Sequence, residues 1–176
     1  MKKIYAIFIS FIYIFNTTKT AKAEDFYNIY YLENTFNENL TFKEYVFLKN
    51  LTQEKKIKLL LDTYFCDKNI NYTPKDTKII NIKLIDKNLV INFNDNIEKY
   101  GGNHYEVNLI RQILHTCFQF EDIETITFLI ENKLKLLPEG TLVFMYTKND
   151  LEILDYNQNF NLKEKVHLKT NLLTKK

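Results

Sequence analysis

The chain has 176 residues, of which 45% are hydrophobic and 26% are charged, and this composition suits one globular domain of ordinary size. Its formal net charge of +2 does not indicate a nucleic-acid partner, because Arg111 is the only arginine and specific phosphate and base contacts depend on arginine. With two prolines and three glycines, the chain has no linker rich in these residues, and it shows no internal repeat.

The N-terminus is typical of a secretory signal peptide. A basic start at residues 1–3 precedes the apolar run 4–15, and Ala21 and Ala23 supply the small residues of a cleavage site. This run of 12 residues is shorter than the roughly 20 that a membrane span needs. We therefore expect export and cleavage after Ala23, and retention as an uncleaved anchor is the open alternative. The mature chain would carry 20 basic and 22 acidic residues, a net charge of −2, and no transmembrane helix.

Patterning in the first half of the mature chain predicts two strands and a helix. The aromatic and β-branched stretch 26–33 and the alternating stretch 40–50 predict the strands. Residues 52–66 repeat apolar side chains every three or four positions, which predicts a helix capped by Thr52. Its apolar face comprises Ile57, Leu60, Leu61, Tyr64 and Phe65.

The second half predicts a hairpin, a helix and further strands. Residues 78–94 alternate apolar and polar side chains around a turn at 86–88, as a β-hairpin does. After a second helix, the stretch 123–133 predicts another strand, and 140–148 predicts a last one. Because each helix has one apolar stripe, we expect an α+β fold with two helices packed on one face of a small mixed β-sheet.

These elements define three expected parts of the chain. The signal peptide occupies residues 1–23 and the domain occupies residues 24–148. Patterning weakens after residue 148, so residues 149–176 are expected to be a C-terminal extension that is partly ordered or a tail.

The stretch 100–120 concentrates two of the three glycines, two of the three histidines and one of the two cysteines. Gly101 and Gly102 allow a sharp turn into the second helix. Asn103 followed three residues later by Glu106 predicts a capping box, in which both side chains satisfy amides of the first turn. The expected buried stripe of this helix is Val107, Ile110, Leu114, Cys117 and Phe118, with Ile113 at its margin.

The histidines do not form a predicted catalytic or metal site. His104 and His115 are eleven residues apart, about 16 Å along one helix, so they cannot share a metal ion. His115 and Cys117 are two residues apart and face different sides. We therefore predict no catalytic, cofactor-binding or metal-binding residues and leave the binding residues unassigned. Several acidic residues have turn or helix-end explanations instead: Asp86, Asp95, Glu98, Glu121, Asp122 and Glu124.

Two sets of residues keep two interpretations each. Cys66 and Cys117 could form a disulfide in an exported chain, or they could be free thiols in apolar surroundings. Tyr27, Tyr30 and Tyr31 could mark an exposed partner face, or they could pack within the sheet.

The residues 26–133 resemble the GerMN domain, which is found in sporulation and spore-germination proteins. The resemblance depends on a strand ending, a glycine-led helix start, a helix end and a closing strand. It departs from the family pattern where Asn92 replaces aspartate and Asn103 replaces serine. The signal also lacks the cysteine that lipid anchoring requires. The matching stretches are 29–34, 57–65, 72–77, 90–94, 102–106, 114–120 and 123–133.

This resemblance implies a fold similar to the ring-building domains of spore-envelope assemblies. It implies a non-catalytic extracytoplasmic assembly or scaffolding protein of sporulation, germination or the cell envelope in a Gram-positive spore former. Its location would be the cell envelope or the space between mother cell and forespore. Its partners would be envelope or sporulation proteins, or further copies of itself, bound at a sheet face or edge. The alternative is a secreted domain that binds peptidoglycan or another wall polymer.

Overall fold

The computed structural model describes residues 24–32, 40–48, 51–70 and 72–156. The predicted signal peptide and its cleavage site lie outside these described residues. The elements, in chain order, are β1 Glu24–Tyr31, β2 Thr41–Leu48, α1 Gln53–Cys66, β3 Ile79–Ile85, β4 Asn88–Phe93, a 3-10 helix Asp95–Glu98, α2 Asn103–Phe118, β5 Thr125–Ile130 and α3 at 148–156.

The expected α+β class is confirmed, and the strands form two small sheets. β1 and β2 pair antiparallel as a two-stranded sheet. The second sheet has the order β3-β4-β5, in which β3 and β4 are antiparallel while β4 and β5 are parallel. This three-stranded sheet is therefore mixed, as the sequence predicted.

The hairpin between β3 and β4 turns within the predicted stretch 86–88, but Asn88 already belongs to β4. Ile85 pairs with Asn88, so the loop contains only Asp86 and Lys87. Their φ values are 47° and 65°, which is the left-handed conformation that a type I′ turn requires at both central positions. This turn has the twist of the flanking strands, and it therefore fixes their register.

Helix α1 begins and packs as its sequence predicts. The Thr52 hydroxyl accepts a hydrogen bond from the Lys55 amide at 3.4 Å. The residues of its predicted face are buried in the core, except that Phe65 is half-buried and contacts the ring of Phe93 at 5.8 Å. The buried residues of this face are Ile57, Leu60, Leu61 and Tyr64.

Helix α2 is buried on two sides rather than along one stripe. Its apolar side belongs to the same core cluster as residues of β4 and β5, whereas Val107 is only half-buried. Its other side is polar, and it packs along the edge of β1 that β2 does not cover. The apolar residues of α2 in the core are Leu109, Ile110, Ile113, Leu114, Cys117 and Phe118.

The polar side of α2 satisfies the backbone of β1. Gln112 accepts a hydrogen bond from the Leu32 amide at 2.9 Å, and Thr116 accepts one from the Tyr30 amide at 3.0 Å. Gln119 completes the set, because it accepts from the β1 backbone through Oε1 and donates to it through Nε2, both at 2.7 Å. The helix thus closes this edge of the two-stranded sheet, which could otherwise pair with another chain.

The predicted last strand at 140–148 is wrong. An isolated bridge joins Ile126 to Tyr146, and the Phe128 amide donates to the Val143 carbonyl at 2.9 Å. Between them, Met145 has a φ of 53° and donates its amide to the Thr127 hydroxyl. The backbone therefore leaves the ladder, and the segment lies against β5 as irregular chain. Within the described ranges, no helix has both the length and the apolar character needed to cross a membrane.

Candidate interaction surface

The predicted capping box at the start of α2 is wrong. The N-cap residue is Gly102, whose φ of 97° and ψ of 128° suit only glycine, and no side chain caps the first turn. Asn103 is already helical and is exposed, so it does not act as a cap. Glu106 is fully buried and cannot reach back to the first amide, because its carboxylate is engaged elsewhere.

The Glu106 carboxylate holds a loop from the far end of the domain. Its Oε2 accepts hydrogen bonds from the Tyr100 hydroxyl and the Glu139 amide, both at 2.8 Å. Its Oε1 accepts one from the Thr141 amide at 3.1 Å. The Glu139 carboxylate in turn accepts a hydrogen bond from the Gly102 amide at 2.6 Å. The start of α2 and the turn at 139–141 therefore fix each other.

Aromatic rings surround this buried carboxylate. Tyr100 and Tyr105 stack with centroids 4.8 Å apart, and Tyr72 contacts Tyr105 edge-on at 5.2 Å. Burial, together with its hydrogen bond to Glu106, raises the pKa of Tyr100, and burial raises the pKa of Tyr105 to about 12. Both hydroxyls are therefore neutral at physiological pH, and Tyr100 acts as the donor to Glu106.

The loop that Glu106 holds carries exposed apolar side chains. We call residues 133–145 the leucine loop. Leu137 and Val143 are buried and anchor it, and the Leu137 amide donates to the Thr141 carbonyl at 2.8 Å. The neighbouring apolar side chains are exposed to solvent, and several exposed apolar side chains in one segment are typical of an interaction site. The exposed residues are Leu134, Leu136, Leu142, Phe144 and Met145, each between 39% and 55% exposed.

The histidines and cysteines lie apart. His104 contacts the Tyr72 hydroxyl at 3.1 Å, whereas His115 contacts Asp155 at 2.9 Å. Both cysteines are free. Cys66 is exposed, whereas Cys117 is buried in the core, and this burial raises the pKa of its thiol. The disulfide alternative is thus not realised. Among the residues that the structure describes, no three or more His, Cys, Asp or Glu side chains are grouped in a way that could hold a metal ion.

The acidic residues singled out in the sequence are dispersed. Glu98 pairs with Lys135 of the leucine loop at 2.7 Å, and Glu124 pairs with Lys87. Asp86 lies in the hairpin turn and Asp95 begins the 3-10 helix. Glu121 and Asp122 instead line an open cleft of about 500 Å³. The other residues lining this cleft are Asp25, Phe26, Tyr27, Gln53, Gln119 and Phe120.

A carboxylate beyond the predicted domain boundary anchors helix α3. Asp155 accepts a hydrogen bond from Arg111 Nε at 2.8 Å and contacts His115 Nε2 at 2.9 Å, while Leu151 is buried. Burial alone would raise the pKa of Asp155, but the hydrogen bonds from His115 and Arg111 outweigh it and hold this pKa below its usual value. Sequence reasoning missed this contact, and the one arginine of the chain was the available signal.

The tyrosines of β1 pack within the domain, while other residues of this sheet are exposed. Tyr27, Tyr30 and Tyr31 are half-buried, and Tyr27 stacks on Phe120 at 4.3 Å. Packing is therefore the interpretation that the structure supports for these rings. The exposed apolar residues of β1 and β2 are Phe26, Phe42 and Val46.

The family-pattern position Asn92 has a structural role. Its amide donates to Asn132 Oδ1 at 2.8 Å, and its Oδ1 accepts from the Asn132 backbone amide at 2.9 Å. These bonds support the turn after β5, where Glu131 and Asn132 have φ values of 49° and 63°. A polar side chain at position 92 therefore fixes the chain direction that leads into the leucine loop.

Three solved structures are similar to this chain in fold. The first GerMN domain of the sporulation protein GerM from Bacillus subtilis matches with a TM-score of 0.55 and 18% identity, over 72% of this chain and 99% of that domain. The tandem GerMN domains of the same protein match with a TM-score of 0.54 and 17% identity, over 72% of this chain and 47% of the tandem. A candidate lipoprotein from Clostridium perfringens matches with a TM-score of 0.50 and 18% identity, over 73% of this chain and 90% of that one.

No curated protein matches the sequence. A family model does match, and it covers residues 28–136, from β1 through Glu106 into the first half of the leucine loop. These residues are more than half of the chain. The chain therefore belongs to the Germane family, whose description is sporulation and spore germination, and it has a GerMN-type domain.

Proposed function

We propose that this chain is a non-catalytic extracytoplasmic assembly or scaffolding protein of sporulation, spore germination or the cell envelope in a Gram-positive spore former. The leucine loop is its contact surface, and the partner is an envelope or sporulation protein or a second copy of the chain. The observation that carries this proposal is that Glu106 and two buried anchors fix a loop whose other apolar side chains face solvent.

The loop is suited to binding because it is already ordered. Burying one leucine or phenylalanine side chain contributes roughly 1.5–3 kcal/mol. Much of such a gain is lost when a loop must be ordered on binding. Here the hydrogen bonds to Glu106 fix the turn at 139–141 within the free chain, so the ordering cost is already met. An interface that includes Leu136, Leu142 and Phe144 would therefore keep most of the apolar gain.

Export and the absence of catalysis are part of the proposal. The signal-like N-terminus, with cleavage after Ala23, and the fold similarity to a candidate lipoprotein support an extracytoplasmic location. The proposal assigns a binding role to the chain, and His104 and His115 contact different residues, Tyr72 and Asp155.

The test compares two pairs of serine substitutions in the full chain. Leu136→Ser with Phe144→Ser removes apolar area from the leucine loop, whereas Ile85→Ser with Ile153→Ser removes similar exposed area elsewhere. Both proteins should show unchanged circular dichroism. Chemical crosslinking in sporulating cells should give complexes with the wild type and the control pair, and at least tenfold less with the loop pair. Equal yields from all three proteins would refute the assignment of the loop.

The alternative is a secreted domain that binds peptidoglycan or another wall polymer, and the open cleft favours it. Stacked Tyr27 and Phe120, beside carboxylates and the Gln53 amide, suit a polymer with both apolar ring faces and polar groups. Sedimentation with purified sacculi separates the two functions. A wall binder sediments with sacculi alone and loses binding on Gln53→Ala, whereas an assembly protein needs a protein partner.

A further inference from the structure

The outer face of the two-stranded sheet carries exposed apolar side chains in the described part of the chain. Cross-strand register places Phe26 opposite Val46 and Tyr30 opposite Phe42 on this face, with the polar pair Asn28 and Glu44 between them. Phe26, Phe42 and Val46 are 59%, 58% and 48% exposed. The opposite face of the same sheet, which carries Ile29, packs into the core. We call the exposed surface the β1–β2 outer face.

A continuous path of contacts leads from this face to the last described residues. The rings of Phe42 and Tyr30 are 5.9 Å apart, and those of Tyr30 and His115 are 5.4 Å apart. His115 Nε2 lies 2.9 Å from the carboxylate of Asp155, which is one residue before the end of the described chain. The described chain therefore ends, at residue 156, near the β1–β2 outer face.

The length and pattern of residues 157–176 suit this face. Extended, 20 residues reach about 66 Å, whereas a strand of the length of β2 spans only about 27 Å. Between residues 160 and 168 the apolar residues fall at even-numbered positions, so that they would share one side of an extended chain. These residues are Phe160, Leu162, Val166 and Leu168.

Charge also favours contact between this segment and the domain. Residues 157–176 hold five lysines and one glutamate, a net charge of +4. Residues 24–156 hold 15 basic and 21 acidic residues, a net charge of −6. Opposite net charges attract, and the covalent link raises the effective local concentration of the segment to about the millimolar range.

We propose that residues 157–176 of the same chain bind over the β1–β2 outer face, with Phe160, Leu162, Val166 and Leu168 packed on Phe26, Phe42 and Val46. The anchor at Asp155 sets where the segment starts. In this arrangement the segment, rather than a partner, occupies the outer face, and the leucine loop stays exposed. The proposal does not depend on the function of that loop.

A photocrosslinking experiment on the full chain identifies the occupant. Photoreactive p-benzoylphenylalanine replaces Phe42, and light- and heavy-nitrogen forms of the protein are mixed before irradiation. Crosslinked peptides should join position 42 to residues 157–176 within chains of a single isotope. Crosslinks to another copy, or none to this segment, would overturn the proposal without affecting the leucine loop. The same photoreactive residue at Ile85 is the control and should not capture the segment.

Thiol labelling gives an independent measurement. Val46→Cys in a Cys66→Ser background places one accessible thiol on the face, because Cys117 is buried. Serine at Phe160, Leu162, Val166 and Leu168 should raise the labelling rate at least fivefold. An unchanged rate would show that the segment does not cover the face.

Discussion

Replacing Glu106 by glutamine should destabilise the domain and release the leucine loop. The wild-type carboxylate accepts three hydrogen bonds, two at Oε2 and one at Oε1. Glutamine keeps one oxygen, so its best orientation retains the Tyr100 and Glu139 donors and turns an N–H toward the Thr141 amide. Each hydrogen bond to a charged group contributes about 1.5–3 kcal/mol, and we expect a net loss of about 2 kcal/mol. Alanine loses all three bonds and should cost about 5 kcal/mol or more.

Urea unfolding measures this loss. With a slope near 2 kcal/mol/M, the glutamine variant should unfold at about 1 M lower urea. The exposed Glu152→Gln on α3 is the control and should change stability by less than about 0.5 kcal/mol. Hydrogen exchange should show faster exchange at the Glu139 and Thr141 amides in particular. An unchanged midpoint, or unchanged exchange at these two amides, would refute the role assigned to Glu106.

Three further predictions test other parts of the account. Gly102→Ala should cost about 1–3 kcal/mol in thermal melts because of its φ of 97°, whereas Gly101→Ala, equally open to a Cβ, should cost almost nothing; equal losses would contradict this. The lowered pKa of Asp155 contributes stability that is present above pH about 4 and lost as pH falls through the folded value. Asp155→Asn should therefore be less stable than wild type at pH 7 and equally stable near pH 2. A stability difference that persisted at pH 2 would show that the charge of the Asp155 carboxylate is not its cause. Native protein should show one thiol that reacts rapidly, Cys66, while Cys117 should react only after denaturation.

Local patterns predicted most of the elements, because their physical causes are local. The hairpin follows from alternation around Asp86 and Lys87, and α1 follows from its apolar spacing and the Thr52 cap. Most core residues of both helices follow from the same periodicity, although it placed Ile113 at the margin and missed Leu109. The family resemblance depends on the same turns and apolar helix faces, and the match of the family model over residues 28–136 confirms it.

Contacts between distant residues could not be predicted from local pattern. Glu106 has the spacing of a capping box, but two of its three hydrogen-bond donors are the amides of Glu139 and Thr141. These residues are 33 and 35 positions further along the chain. From the sequence alone, Gln112 and Thr116 would be expected to face solvent. Instead they accept hydrogen bonds from the backbone amides of Leu32 and Tyr30, which are 80 and 86 positions away in the sequence. The polar side of α2 is therefore an inner surface, and only the fold reveals this.

We propose above all that the leucine loop is the surface through which this chain binds its partner. The most direct measurement places a photoreactive residue at Leu136 and, separately, at the equally exposed Ile85, in cells that are forming spores. We predict that position 136 captures one defined envelope protein, or a second copy of the chain, while position 85 captures neither. Capture from position 85 but not from position 136 would contradict the account.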